Sequence, residues 1–266
     1  MENILMRDDA PLTSEQWQAI DTTVNNVAQQ ILIGRRILNL YGPLGFGAYT
    51  VPLYTYGGEP AEPVRAKMVR QLPMATLMQE FVITVKDLEL FNSGQQPFDS
   101  APVAAAAARS ASAEDRLIFN GDEETAGLLT ANGSHTVKLG SWGEEGQALA
   151  DITTATSQLV AAGYYGPYAV AMHPMRFAQI QRVYGRRGIM EAELVEKQAA
   201  GGTFTSAVIP EDKVLVVAAQ PQYLDLAIGL DLSTAFIETA DLENRFRIME
   251  TLALRIKDPG AICILE

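Results

Sequence analysis

From Arg245 to Lys257 the chain alternates with a period of two. Phe246, Ile248, Leu252, Leu254 and Ile256 fall on one side, and Arg245, Arg247, Thr251, Arg255 and Lys257 on the other. That period belongs to a β-strand with one face on a core, so the chain must build a sheet. Glu250 falls on the apolar side. A buried carboxylate there needs a partner, whereas an exposed one would mean that the apolar face ends locally. Phe81 to Val85, Tyr168 to Met172, Val214 to Ala219 and Leu224 to Ile228 read as further strands.

Helices are interleaved with these strands. From about Ser14 to Ile33, Trp17, Ile20, Val24, Val27 and Ile31 recur at helical spacing, with polar uncharged residues opposite. Thr13 and Gln16 have the spacing of a capping box, Leu12 and Trp17 that of a hydrophobic staple, and Gly34 stands where this helix is expected to end. The alanine run predicts a helix over Val103 to Phe119, closed by Gly121. Helices are also predicted over Ala148 to Ala162 and Met175 to Tyr184. Residues 41 to 63 are rich in Gly, Pro and Tyr, which excludes helix and predicts an extended excursion, a two-stranded arm. Asn92 to Pro102 is turn-rich, Thr130 to Gly146 reads as a loop, and Gly185 to Gly188 as an exposed loop. The fold class is α+β, too interleaved for a clean domain cut.

Composition narrows the function. The 266 residues can bury a substantial core. Formal charge is −12 and no basic stripe is visible, which argues against nucleic acid and anionic membranes as partners. No apolar stretch approaches the roughly 20 residues that cross a bilayer, and the first ten residues lack a signal core. A cytoplasmic location is expected. Cys263, the one cysteine, sits in an apolar run and reads as a buried strand thiol.

Catalytic chemistry is not signalled. His135 and His173 are far apart and neither has metal-ligand spacing, so no metal site is expected. A nucleophile elbow and a phosphate loop are both missing. Gly42 to Gly47 is glycine-rich but wrongly spaced for a dinucleotide fingerprint. The acidic groups Asp122-Glu123-Glu124 and Glu144-Glu145 lie in turn-like segments and read as solvated surface. No catalytic residue is named, and the chain reads as a protein that is not an enzyme.

An ordered series of short motifs says more. Ala10-Pro11-Leu12-Thr13, Trp17, Ile20-Asp21 and Gly34-Arg35-Arg36 come first. Glu114 to Gly121, Gly127-Leu128-Leu129 and Gly166-Pro167-Tyr168 follow. Gly201-Gly202, Ile209 to Asp212, Gly229 to Ser233 and Glu250-Thr251 complete the series. In order and spacing, over nearly the full chain, it resembles the shell proteins of encapsulin nanocompartments. The resemblance implies the tailed-phage major capsid fold (Hong Kong 97-like). It implies an N-terminal arm and helix over 1–40, an extended loop over 41–75 and a peripheral domain with a spine helix over 76–129. An axial domain over 130–220 and peripheral-domain strands over 221–266 complete the division. It implies self-assembly into an icosahedral cage of about sixty copies, or a small multiple, through contacts that close on themselves.

The resemblance also implies partners and sites. Family shells enclose a cargo enzyme, such as a ferritin-like protein or a dye-decolourising peroxidase, in the context of iron storage or oxidative stress. The cargo's C-terminal targeting peptide docks on the inner wall. The matching positions here are Ile20, Val24, Val27, Ala28, Ile31, Leu32, Arg35, Asn39, Asp231 and Leu232. Tyr184, Gly185, Arg186, Arg187, Gly188 and Ile189 match the family's pore-lining loop. There a ring of arginines would favour anions, or the arginines would pair with Glu191 or Glu193 on an ordinary surface loop. Lys86 stands where some relatives carry a flavin-binding tryptophan, so no cofactor is expected. Two other readings compete. A prophage capsid protein shares the fold but would favour a basic inner wall for DNA. A hydrolase or bacteriocin would need the missing nucleophile motif.

Overall fold

The computed structural model describes residues 2–54, 69–185 and 188–266. A helical turn, α1 (Glu2–Leu5), precedes α2 (Ser14–Ile31). Thr13 caps α2. Its Oγ1 accepts from Gln16 N at 3.3 Å, and the Gln16 side chain accepts from Thr13 N at 2.7 Å, which satisfies two otherwise orphaned amides. Ile20 and Val24 are buried, and Trp17 and Val27 pack beside them.

Gly34, expected to end this helix, instead starts α3 (Gly34–Ile37). The cause is remote in sequence. The Asp115 carboxylate accepts from Ile33 N and Gly34 N at 3.0 and 2.9 Å. A Cβ at residue 34 would lie 2.5 Å from Ile118 Cδ1, so only glycine fits without displacement.

Next come β1 (Asn39–Tyr41) and an antiparallel arm of β2 (Thr50–Leu53) and β3 (Arg70–Pro73). Residues 55–63 of the expected excursion lie outside the described residues. β4 (Ala75–Thr84) is longer than the five residues read from sequence, and α4 (Val85–Asn92) follows it, capped by the Thr84 hydroxyl. α5 (Ala101–Asn120) is the long alanine-rich helix, closed by Gly121 at φ 71°.

The middle of the chain runs through β5 (His135–Val137), α6 (Gln147–Ala161), β6 (Tyr168–Met172) and α7 (Pro174–Ile180). α7 stops short of Tyr184 because β7 (Val183–Tyr184) turns back onto β8 (Ile189–Met190). Then come α8 (Glu191–Gln198), β9 (Gly202–Thr205) and β10 (Val214–Ala218). β11 (Leu224–Ile228), β12 (Ser233–Ala240), β13 (Glu243–Ile256) and β14 (Ile262–Leu265) end the chain.

Two five-stranded sheets result. In the first, β13 is central, with β4 along one edge and β12 then β11 along the other, and β1 outermost. α2 and α5 pack together on one another and over this sheet, where Phe246 meets Trp17, Phe81 and Phe236 at ring-centroid distances of 5.7, 5.3 and 5.6 Å.

The second sheet has the order β5-β14-β10-β6-β9. The last strand therefore leaves the unit expected for 221–266 and pairs with β10 and β5. Burial explains this. Ile262 and Ile264 face a core shared with Ile118, Phe119 and Leu252, while Cys263 and Leu265 face another with Ile152, Leu159 and Val195. A strand covered on both faces must be apolar at every position, as Ile262–Leu265 is. Burial also pushes the Cys263 thiol up to about 11.

Candidate functional site

Among the described residues, no group of three or more His, Cys, Asp or Glu is arranged to hold a metal ion. His173 serves structure: its Nδ1 accepts from Met175 N at 3.2 Å and caps α7. No helix of the described residues is long and apolar enough to cross a membrane.

A pocket of about 450 Å³ opens between the C-terminal end of α2, α3 and the turn joining β11 to β12. Ala28, Leu32 and Leu232 form its apolar wall, Asn25 and Gln29 its polar rim, and Arg35, Arg36 and Asp231 its charged end. Five of the ten residues expected at a peptide site, Ala28, Leu32, Arg35, Asp231 and Leu232, thus line one cavity. The others do not. Ile20 and Val24 are turned into the core under α2 and do not line this pocket. Val27 and Ile31 are half-buried against neighbouring side chains, and Asn39, exposed on β1, does not line the pocket. The helical period marked one apolar stripe, and most of that stripe is used in packing α2. Sequence reasoning had not picked out Asn25, Gln29 and Arg36, whose only signal is their place on the exposed side of the same helices.

The charged end is built on Arg35. Its Nε donates to both oxygens of Glu114 at 2.8 and 3.0 Å, its Nη2 to Glu250 Oε2 at 2.8 Å, and its Nη1 to Asp231 Oδ1 at 2.6 Å. Glu114 and Glu250 are fully buried, on α5 and β13, while the Asp231 side chain is 63% exposed. This is the partner that the misplaced carboxylate on the apolar face of β13 required. Burial drives the Glu250 carboxyl up to about 9. The charge of Glu114, a hydrogen bond to it and the charge of Asp231 act in the same direction, and Arg35 opposes them. For Arg35 burial alone would favour the neutral form, but its three carboxylate partners outweigh that and hold it above its ordinary value.

Two other places on the surface are concave or carry charged groups. A cavity of about 160 Å³ lies between the β2–β3 arm, β13 and residues 124–126, walled mainly by Leu53, Leu72, Leu252 and Leu254. It carries no catalytic pair. The β7–β8 hairpin is anchored by Arg182, which donates to Glu191 Oε2 at 2.9 Å, to the Gly143 carbonyl at 2.8 Å and to the Glu144 carbonyl. Gly185 N donates to the Glu145 carboxylate. Glu191 is therefore taken by Arg182. Tyr184, Gly185, Gly188 and Ile189 sit on this hairpin, while Arg186 and Arg187 lie outside the described residues.

A family model described as an encapsulating protein for peroxidase matches residues 1–253. The chain belongs to the encapsulin shell-protein family. It is 35% identical to the type 1 encapsulin shell protein EncA of Myxococcus xanthus, over all of this chain and 97% of that protein. Its fold matches a chain of the virus-like particle from Pyrococcus furiosus at a TM-score of 0.79, with 22% identity, over 95% of this chain and 100% of the other. The capsid of the Myoviridae phage XM1 matches at 0.66, with 14% identity, over 88% and 91%. The fold is thus the Hong Kong 97-like capsid fold that the resemblance implied. As an encapsulin shell protein the chain has a structural role, as the wall of a capsid-like compartment.

Proposed function

We propose that the shell built from this chain encloses an enzyme, and that the pocket beside Ala28, Leu32 and Leu232 receives an extended peptide from that guest. The pocket carries the reading. It joins an apolar wall fit to anchor a small aliphatic side chain to a charged end fit to orient a peptide backbone. A peroxidase is a suitable guest, since the matching family is described by that role. A ferritin-like protein is the alternative guest. The shell itself carries no reaction and no flavin. Lys86, exposed on α4, offers no aromatic face at the position that the resemblance marks for a flavin. The β7–β8 hairpin lines an opening through which the guest's small substrates pass.

The test is loading. Particles purified from the native host are analysed by mass spectrometry, and the C-terminal segment of the co-purifying enzyme is fused to a fluorescent protein. The fusion loads wild-type shells. Leu32→Glu places a charge on the apolar wall and abolishes loading while particles still form. Equal loading of both shells would contradict the proposal.

A further inference from the structure

The pocket's charged end is held from behind. Each of the three guanidinium nitrogens of Arg35 donates to a carboxylate: Nε to Glu114, Nη2 to Glu250, and Nη1 to the exposed Asp231. The two buried partners belong to α5 and to β13, the central strand of the first sheet. Asp231 sits on a turn. Its Oδ1 accepts from Arg35 Nη1 at 2.6 Å and from Leu232 N at 2.8 Å, and its Oδ2 has no partner among the described residues.

We propose that Glu250 is a positioning residue for peptide docking: together with Glu114 it fixes the Arg35 guanidinium, which holds the Asp231 carboxylate with one oxygen left for the incoming peptide. This rests on the docking reading above. Glu250 touches no ligand and acts through Arg35.

Charge and geometry agree on how it does so. Three carboxylates surround one guanidinium. Glu250 Oε1 is buried and has no donor. An ionised carboxylate in that state would be costly. A proton on Glu250 removes the surplus charge and supplies the donor for a hydrogen bond between the two carboxyl groups of Glu250 and Glu114. The charged groups facing Glu250 are Arg35 from α3, Glu114 from α5 and Asp231 from the β11–β12 turn. With the proton present, Glu250 still accepts from Arg35 through Oε2 without competing for its charge. Above about pH 9 the proton leaves, a third negative charge pulls on Arg35 and repels Asp231, and the docking carboxylate loses its fixed place.

The experiment uses full-length subunits reassembled into shells around the probe, so that it can reach the inner wall. The probe is a fluorescein-labelled peptide, selected from a random library carried through the same reassembly, and the anisotropy of the enclosed peptide is read across pH, with particle integrity checked by electron microscopy. Glu250→Leu is expected to weaken binding about tenfold, the scale of one misplaced charge-assisted hydrogen bond. Glu250→Gln keeps an oxygen for Arg35 and an N–H for Glu114. It is expected to bind near the wild-type level at neutral pH and to lack the loss of binding that wild type shows above about pH 9. Leu32→Glu tests the pocket itself. If no peptide is selected, or if Leu32→Glu binds as wild type does, the docking reading falls and this inference with it. If Leu32→Glu abolishes binding but Glu250→Leu does not weaken it, the inference alone is overturned. If Glu250→Leu fails to assemble, the alkaline profile of Glu250→Gln decides, and a profile parallel to wild type refutes the role of Glu250.

Discussion

Replacing Asp115 by Asn isolates one buried charge whose effect on stability can be worked from its surroundings. Asp115 accepts from Ile33 N, Gly34 N and the Ser206 hydroxyl, contacts that tie α3 and the β9–β10 connection to α5. These bonds favour its ionised form, but burial outweighs them, helped by the nearby charge of Glu114. The carboxyl is pushed from its ordinary 3.8 up to about 6. Between those values the folded chain holds a proton that the unfolded chain has released. The group's contribution is therefore fully present below about pH 3.8 and is lost as pH rises to about 6. At about 1.4 kcal/mol per pH unit, that interval amounts to about 3 kcal/mol. Asn keeps an oxygen for Ile33 and Gly34 and does not titrate. The assay is denaturant unfolding of wild type and Asp115→Asn at one subunit concentration, so that assembly contributes alike to both. The stability of wild type relative to the variant should fall by about 3 kcal/mol from about pH 3.8 to about pH 6, and stay level above that. Parallel curves would refute the reasoning.

Three further outcomes follow from packing. Gly34→Ala puts a methyl 2.5 Å from Ile118 Cδ1 and should destabilise by about 1–3 kcal/mol; an unchanged thermal midpoint would contradict this. Phe246→Ala empties the centre of the aromatic group formed with Trp17, Phe81 and Phe236 and should cost about 3–5 kcal/mol, read as a lower denaturant midpoint. Cys263 is buried with its thiol held up at about 11, so it should resist a thiol reagent in the native shell at pH 8 and react once the chain is unfolded. Fast native labelling would show that β14 is not covered on both faces.

The sequence made the local features legible. The Thr13–Gln16 capping box, the alternation of β13, the alanine run of α5 and the strand Tyr168–Met172 depend on neighbours along the chain, and each is present. Other elements are not legible from neighbours along the chain, for different reasons. β12 carries an irregularity between Phe236 and Glu238 that breaks its alternation. α4 and α8 are only eight residues long, too short for a clear helical period. β5 is three residues, paired in parallel with the distant β14. Gly34 was read as a stop because its cap, Asp115, lies far along the chain. Glu250 shows the boundary most clearly. Its odd position on the apolar face of β13 was visible, but the Arg35–Glu114 pair that makes the position tolerable arises only when α3, α5 and β13 meet. The pocket was half legible for a similar reason: helical spacing gave the apolar stripe of α2, but not which part of it faces solvent.

Electron microscopy of the purified full-length chain in mild buffer tests the shell account most directly. Closed, hollow particles of one uniform diameter, each holding many copies, are the result expected. A discrete monomer or dimer under the same conditions, with an empty grid, would contradict it.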